Sequence, residues 1–245
     1  MANDQAHGLR RLFARRDARM LGVLGDEATA VSLELATAFA HLSQRVLLID
    51  RSCGDAARAM GLRARYELRH ALMGDRTLRQ VTLEGPHGIV VLPAARGLDV
   101  IESEAGAAVK LAANLDAALG PFDMMVVNGA PLVVPGAGVL LSLAPTSTAV
   151  TLAYTELKKL ARVGVPRRCE IVVHKARTEA AALDAFDSVA ITAGRFLGMT
   201  LALAGTMPGS PRPFHAEPHA ARSRAATRIA QRLTASPATR KAVNL

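Results

Sequence analysis

Residues 23–32 read VLGDEATAVS and are followed, one short helix later, by RVLLID at residues 45–50. Many nucleotide-binding α/β domains begin with this order of strand, turn, amphipathic helix and second strand, and their turn binds phosphate through its backbone. Here the turn has one glycine, Gly25, and two acids, Asp26 and Glu27, but no lysine. The stretch therefore keeps the order of a phosphate site but carries side chains that repel phosphate.

Apolar and amphipathic segments alternate along the rest of the chain. The apolar runs are continuous, which is typical of strands buried on both faces; they include RVLLID, GIVVLP, FDMMVVN and CEIVVH. We predict strands at about 19–24, 45–50, 88–93, 123–128, 139–144, 169–174 and 201–206. We predict helices at about 28–43, 54–60, 66–73, 102–119, 147–162, 179–197 and 219–234. This alternation predicts an α/β fold, a doubly wound and mostly parallel sheet with helices on both faces.

The length of 245 residues and the 50% hydrophobic content fit one sizeable domain with a well-buried core. We assign residues 1–18 to an N-terminal helix and linker, residues 19–235 to the α/β domain, and residues 236–245 to a C-terminal tail. The net charge of +9 suggests nucleic acid or an acidic membrane as a partner. However, the basic residues are spread along the chain and only 3% of residues are aromatic, so nucleic-acid binding is not favoured.

The cysteines and histidines show no metal-ligand spacing. Cys53 and Cys169 form no disulfide framework, and we expect both to be buried or half-buried thiols of a reducing cytoplasm. The apolar run at residues 132–144 is broken by proline and glycine and is too short to span a bilayer. The basic N-terminus lacks the apolar stretch of a signal peptide. We therefore predict a cytoplasmic protein without a bound metal.

The order of segments resembles the MinD/ParA group of P-loop ATPases and, within it, the flagellar-number regulators called FlhG, FleN or YlxH. The matching stretches are DQAHGLR at 4–10, RVLLIDRSCGDAARAMGL at 45–62, ELRHALMGDRTLRQVTLEGPHGIVVLPAARG at 67–97, APTSTAVTLAYTELKKL at 144–160 and RFLGMTLALAGTMP at 195–208. Each is short, but their order and spacing together cover most of the chain.

The resemblance implies a phosphate-binding loop after the first strand, with glycines that let backbone amides surround phosphate. The family's glycine positions fall on Gly22, Leu24, Gly25 and Glu27, and its two lysine positions fall on Val23 and Ala28. The hydroxyl that binds Mg²⁺ is kept as Thr29. Asp26 has the chemistry of a helix N-cap, so we expect its side chain to occupy the amides once offered to phosphate.

Other positions implied by the resemblance also depart from the family. Asp50 is kept, but the second acid of that strand end is Ser52. The aspartate that organises Mg²⁺ corresponds to Asn128, and an amide binds Mg²⁺ less well than a carboxylate. The asparagine that contacts adenine corresponds to His174, which we interpret as a structural, hydrogen-bonded histidine. We therefore predict a degenerate nucleotide site with no catalytic residue of its own, no ATP hydrolysis and no cofactor.

The N-terminal segment carries the candidate partner-binding residues. A short basic helix is predicted there, because Leu9, Leu12 and Phe13 follow helical spacing. In the subfamily such a helix enters the active site of the signal-recognition-type GTPase FlhF and stimulates GTP hydrolysis. The resemblance implies that Gln5 orients the attacking water and that Asp4 caps the helix or bonds the partner. The full candidate set is Asp4, Gln5, Ala6, Leu9, Arg10, Leu12 and Phe13. A helix that lies on its own domain is the alternative.

The last helix, ARSRAATRIAQRLTA, has an apolar line of Ala225, Ile229 and Leu233. Arg222, Arg228 and Arg232 lie beside that line. Relatives can carry a membrane-targeting helix at this place, but the apolar face here is too poor for stable attachment. We expect core packing or a solvated basic face, with membrane contact weak or indirect.

The resemblance as a whole implies a regulator of flagellar number or placement that acts through protein contacts. Its expected partners are an FlhF-type GTPase and, in addition, a component of the flagellar base or a flagellar transcription regulator. Two alternatives stay open from the sequence. One is a slow ATPase that still uses Thr29 and Asp50 with Mg²⁺ and ATP. The other is a basic DNA-binding module of the partition type, suggested by the net charge of +9.

Overall fold

The computed structural model describes residues 19–98, 107–129, 137–162, 168–208 and 220–235. The N-terminal motif and the C-terminal tail defined above lie outside the described residues. The strands are β1 (Arg19–Gly25), β2 (Val46–Asp50), β3 (Leu83–Glu84), β4 (Val90–Pro93), β5 (Met124–Asn128), β6 (Gly138–Leu143), β7 (Arg168–His174) and β8 (Thr200–Met207). They form one sheet in the order β3-β4-β2-β5-β1-β6-β7-β8.

The helices lie between the strands along the chain. They are α1 (Ala28–His41), α2 (Asp55–Ala59), α3 (Leu68–Leu72), α4 (Leu78–Val81), α5 (Ala107–Leu119), α6 (Ser147–Arg162), α7 (Glu179–Leu197) and α8 (Ala220–Ala235). All neighbouring strands are parallel except β3, which pairs antiparallel with β4. The carboxyl ends of the parallel strands therefore meet at one edge, where ligand sites of doubly wound sheets lie.

The core lies on both faces of the sheet. On one face, Val31 and Leu35 of α1 pack with Ile229 of α8 over the central strands. On the other face, one apolar cluster joins the sheet to α6 and α7, and a second joins it to α5. Every residue of β2 and β5 is buried, which explains their continuous apolar sequences. The doubly wound fold is thus confirmed.

The predicted strands and long helices agree with the structure to within a few residues in its described parts. α4 and β3 were not predicted, because each is too short to show a hydrophobic period. No helix within the described ranges is long and apolar enough to cross a membrane. The prediction for Cys53 was wrong, since this thiol is exposed, whereas Cys169 is buried and burial raises its pKa to about 12.

The last helix packs in the core, as expected, but one of its arginines does not belong to an exposed basic face. Arg222 is 1% exposed and its Nε donates to Glu34 Oε1 over 3.0 Å. Its Nη1 also donates to the carbonyl of Pro208. Burial raises the pKa of Glu34, while the charge and hydrogen bond of Arg222 lower it. This buried ion pair ties α8 to α1.

Candidate functional site

The turn between β1 and α1 is tighter than the resemblance implied. β1 continues through Gly25, and its residues from Leu21 to Gly25 pair with β6 while those from Arg19 to Val23 pair with β5. α1 begins at Ala28, so only Asp26 and Glu27 connect strand and helix. Gly22, Val23, Leu24 and Gly25, onto which the resemblance places positions of the family's loop, therefore belong to the central strand, in agreement with the strand predicted at about 19–24.

Gly25 is required by the backbone of this turn. Its φ is +96°, and an added Cβ would lie 2.3 Å from the carbonyl oxygen of Ser142. That same oxygen accepts a hydrogen bond from the amide of Asp26 over 3.0 Å. An amide that the family would offer to phosphate thus bonds the neighbouring strand β6.

The N-cap of α1 is Glu27, and the prediction that Asp26 caps this helix was wrong. Glu27 adopts a left-handed conformation with φ 51°, and its side chain makes no capping hydrogen bond. Its carboxylate turns instead to the end of β7, where Glu27 Oε1 pairs with Lys175 Nζ. The negative charge of the turn is therefore partly neutralised by Lys175, which directly follows β7.

His174 lies beneath the two acids of the turn. Its Nε2 is 3.4 Å from Asp26 Oδ2 and its Nδ1 is 3.6 Å from Glu27 Oε2. The ring is fully buried and neither ring nitrogen makes a hydrogen bond, so the prediction of a hydrogen-bonded histidine was wrong. Burial lowers the pKa of His174, against the opposing effect of Glu27 and Asp26. The ring thus resists the proton that would pair it with the acids.

A second set of polar side chains lies at the ends of β2 and β5. Asn128 Nδ2 donates to Thr29 Oγ1 over 3.1 Å and to Asp50 Oδ1 over 3.2 Å. Ser32 Oγ lies 3.4 Å from Asn128 Oδ1 and donates to it. Asp50 also accepts from the amide of Ser52 over 2.9 Å and from its hydroxyl. The buried amide and carboxylate are thus bonded to protein groups.

The structure brings Ala28, Thr29, Asp50, Asn128 and His174 to one edge of the sheet, as the resemblance implied. This arrangement does not fit a nucleotide with Mg²⁺, because β1 occupies the place of the loop and the oxygens of Thr29 and Asp50 both already accept hydrogen bonds from Asn128. Within the described ranges no group of three or more His, Cys, Asp or Glu is placed to hold a metal ion.

No family model matches the chain. It is 30% identical over 195 residues to the antiactivator FleN of Pseudomonas aeruginosa, an alignment that covers 74% of this chain and 68% of FleN. The chain belongs to the FleN family.

Solved structures show that this FleN-family chain has the MinD/ParA fold. MinD of Aquifex aeolicus superposes with a TM-score of 0.66 at 19% identity, over 89% of this chain and 98% of that one. MinD of Pyrococcus horikoshii, solved with Mg-ADP, superposes with a TM-score of 0.61 at 17% identity, over 88% and 96% of the two chains.

Sequence reasoning missed Lys175 and Ser142, which shape the site of this FleN-family member, and the buried state of Arg222, which pairs with Glu34 outside it. Lys175 follows the assigned position 174 directly, so its place at the turn could have been found from that assignment. Ser142 and Arg222 gave no such signal, because each is far along the chain from the residue that it contacts: Asp26 for Ser142 and Glu34 for Arg222. The buried arginine could not be recognised, since helical arginines are usually exposed.

Proposed function

We propose that this chain is a FleN-family regulator of flagellar biogenesis that acts through protein contacts and not through an ATP cycle. Membership of the FleN family supports the flagellar role, since the relative it matches is an antiactivator. The absence of an ATP cycle is supported by one observation above all others. Only Asp26 and Glu27 connect β1 to α1, and this connection leaves no loop to surround a phosphate.

Electrostatics supports the same proposal. A carboxylate a few ångströms from a phosphate charge repels it by roughly 4 kcal/mol at an effective dielectric near 20. Asp26 and Glu27 both lie at the turn. Lys175 brings a positive charge to the turn, but it already pairs with Glu27. A polyphosphate would have to break that pair and overcome the remaining charge of Asp26.

The Mg²⁺ side of the site argues in the same direction. Mg²⁺ requires near-octahedral oxygen ligands and binds amides less readily than carboxylates. Here an amide, Asn128, stands between Thr29 and Asp50 and bonds both. Entry of the ion would require both hydrogen bonds to break without a carboxylate gained in return.

A slow ATPase is the second candidate, and two features favour it. Thr29 and Asp50 keep the hydroxyl and the acid of the family, and no side chain caps the N-terminus of α1. The exposed end of the helix dipole would still attract an anion. This candidate predicts measurable ATP binding by the unmodified protein.

Calorimetry separates the two candidates. The full chain is titrated with ATP in excess Mg²⁺, beside a variant that removes the acids and supplies the lysine: Asp26→Gly, Glu27→Gly and Ala28→Lys. We expect no heat of binding from the unmodified chain, and weak or no binding from the variant because Asn128 remains. Binding by the unmodified chain with a Kd of about 10 μM or tighter would show that the site is functional.

The activator role of the N-terminal segment is a further part of the proposal. Gln5 is uncharged and could orient an attacking water, and Leu9, Leu12 and Phe13 could seat the helix on a GTPase. These residues lie outside the described part of the chain, so the proposal rests on their sequence. A transcription regulator or a flagellar-base protein remains a second expected partner.

A GTPase assay tests this role with the cognate FlhF-type protein and a peptide of residues 4–16. We expect stimulation by the peptide, its loss in the Gln5→Ala peptide, and its retention in a peptide carrying Arg16→Ala outside the motif. Absence of stimulation by the unmodified peptide and by the full chain would refute the activator role. It would leave the FleN-family assignment unaffected.

A further inference from the structure

A groove of about 640 Å³ runs along the free edge of the sheet, between α7 and α8. Its apolar lining comes from both helices and from β8, and includes Ala182, Leu183, Leu203, Met207 and Ala225. Leu183 is 42% exposed, whereas Ala182, Met207 and Ala225 are buried beneath it, so the apolar lining reaches solvent mainly at Leu183. The groove does not include Thr29, Asp50 or Asn128, and the proposed function gives it no role.

The rim of the groove is strongly basic. Arg177, Arg224 and Arg228 line it, against one acid, Glu179. Each of these arginines is exposed, and in the described part of the chain none forms a hydrogen bond or an ion pair with another residue. Arg224 and Arg228 stand four residues apart on α8, so their side chains lie on one face of the helix. The described lining of the groove therefore carries an excess of positive charge beside an apolar floor.

The floor of the groove is an edge strand. β8 is the last strand of the sheet and pairs only with β7 in the described residues. An edge strand exposes backbone donors and acceptors that another extended chain can pair with. One of these acceptors, the carbonyl of Ala204, receives Arg232 Nη1 at the long distance of 3.4 Å. Within the described residues, this single long bond leaves most of the edge without a side-chain partner.

We propose that this groove binds an extended, acidic segment of a partner protein that adds to β8 as a further strand. Charge complementarity selects the acidic partner, the apolar floor accepts alternate side chains of a strand, and the free edge supplies backbone hydrogen bonds. This interaction surface goes beyond the proposed function and does not depend on the GTPase or nucleotide arguments.

Other occupants fit the groove less well. Nucleic acid is disfavoured because none of the described residues that line the groove is aromatic and able to stack with bases. The chain's own residues 209–219, which join β8 to α8, contain three prolines and a single acid, Glu217. Proline has no amide to donate to a strand, and one acid does not balance three arginines.

Fluorescence anisotropy with labelled peptides of about ten residues tests the proposal on the full chain. The probe alternates glutamate and valine; one control peptide replaces glutamate by lysine, and another keeps the glutamates but replaces valines by proline. We expect binding of the acidic strand-forming peptide only. Equal binding of the proline peptide would refute strand addition, and equal binding of the lysine peptide would refute charge recognition.

Two charge-reversal variants locate the site. Arg224→Glu with Arg228→Glu should weaken binding at least about tenfold. Arg63→Glu with Lys158→Glu makes the same change at exposed positions outside the groove and should leave binding unchanged. An equal loss in the control pair would mean non-specific attraction. Tighter binding of single-stranded DNA than of the acidic peptide, lost in the first pair alone, would assign the groove to nucleic acid instead.

Hydrogen exchange gives a readout that surface charge alone would not move. If the peptide pairs with the edge, the exposed amides of β8 should exchange more slowly in the complex, while those of β4 stay unchanged. Binding without protection of β8 would refute the strand geometry. Circular dichroism of each variant establishes that it folds, since exposed substitutions usually change stability by no more than about 0.5 kcal/mol.

Discussion

Two polar clusters occupy the same edge of the sheet and differ in how their hydrogen bonds are satisfied. The Asn128 cluster consists of Thr29, Asp50, Ser52 and Asn128. The Asn128 amide donates to Thr29 and Asp50, and the Asp50 carboxylate also accepts from Ser52. The His174 cluster consists of Asp26, Glu27, His174 and Lys175, and there the histidine ring has charged neighbours but no hydrogen bond.

Under the proposed function, the difference corresponds to two ways in which a nucleotide site can be lost. In the Asn128 cluster, asparagine stands where the family has aspartate. Its amide donates two hydrogen bonds within the cluster, whereas an ionised aspartate could only accept. The His174 cluster instead brings acids, a cation and a buried ring together without a closed network. Removing a buried hydrogen bond costs more than the bond contributes, so the two clusters should respond differently to substitution and to pH.

The largest expected effect comes from Gly25, whose turn supports both clusters. Gly25→Ala places a methyl group against the Ser142 carbonyl at a positive φ, so we expect a loss of about 3 kcal/mol or more in unfolding free energy. Urea denaturation measures the loss. Gly54→Ala is the matched control: its φ is also positive at +88°, but no atom lies within 4 Å of the new Cβ. We expect that change to cost only about 1 kcal/mol, and equal losses would contradict the steric argument.

The next effect tests the closed state of the Asn128 cluster. Asn128→Asp places a carboxylate beside Asp50 and removes the donor, so we expect a loss of about 2–4 kcal/mol near neutral pH. The loss should shrink in acid, because two adjacent carboxylates can share a proton. Thermal unfolding with and without Mg²⁺ measures both effects, and Asn114→Asp on the exposed face of α5 is the control. Recovery of stability in Mg²⁺ would show that a metal site persists.

The His174 cluster should make stability depend on pH. The pKa of His174 is lowered in the folded protein, so the unfolded chain takes up a proton first as the pH falls below its ordinary value of about 6.5. The free energy of unfolding is therefore unaffected by His174 above that pH and decreases below it, by about 1.4 kcal/mol in total for each unit by which the pKa is lowered. Unfolding between about pH 7.5 and 5.5 should show a flatter profile for His174→Asn. His87→Asn, on an exposed turn, should keep the original slope.

The smallest expected effect concerns Lys175. Lys175→Met removes the partner of Glu27, a carboxylate only 11% exposed, and we expect a loss of about 1 kcal/mol that diminishes in high salt. Lys159→Met removes an exposed pair with Glu156 and should cost about 0.3–0.5 kcal/mol. Chemical denaturation at two salt concentrations measures both. A greater loss for the exposed pair would contradict the role assigned to Glu27.

The sequence was sufficient for the fold and insufficient for the turn. Continuous apolar runs such as VLLID mark buried strands, so most elements were placed to within a few residues. The end of β1 was predicted to within one residue, but the hydrogen bonding of the turn was not, because its pairing with Ser142 depends on a strand far along the chain. The buried pair of Arg222 and Glu34 joins residues 188 positions apart and leaves no local pattern. The N-terminal motif was recognised only through resemblance.

The short connection at Asp26 and Glu27 also concerns timing. In an ATPase, hydrolysis can act as a clock that limits how long an assembled state lasts. Under the proposed function this chain has no such clock, so the duration of its complexes would depend on dissociation rates and on the number of copies in the cell. Control would then lie in synthesis and degradation of the protein, and a twofold change in its abundance would act directly on the outcome.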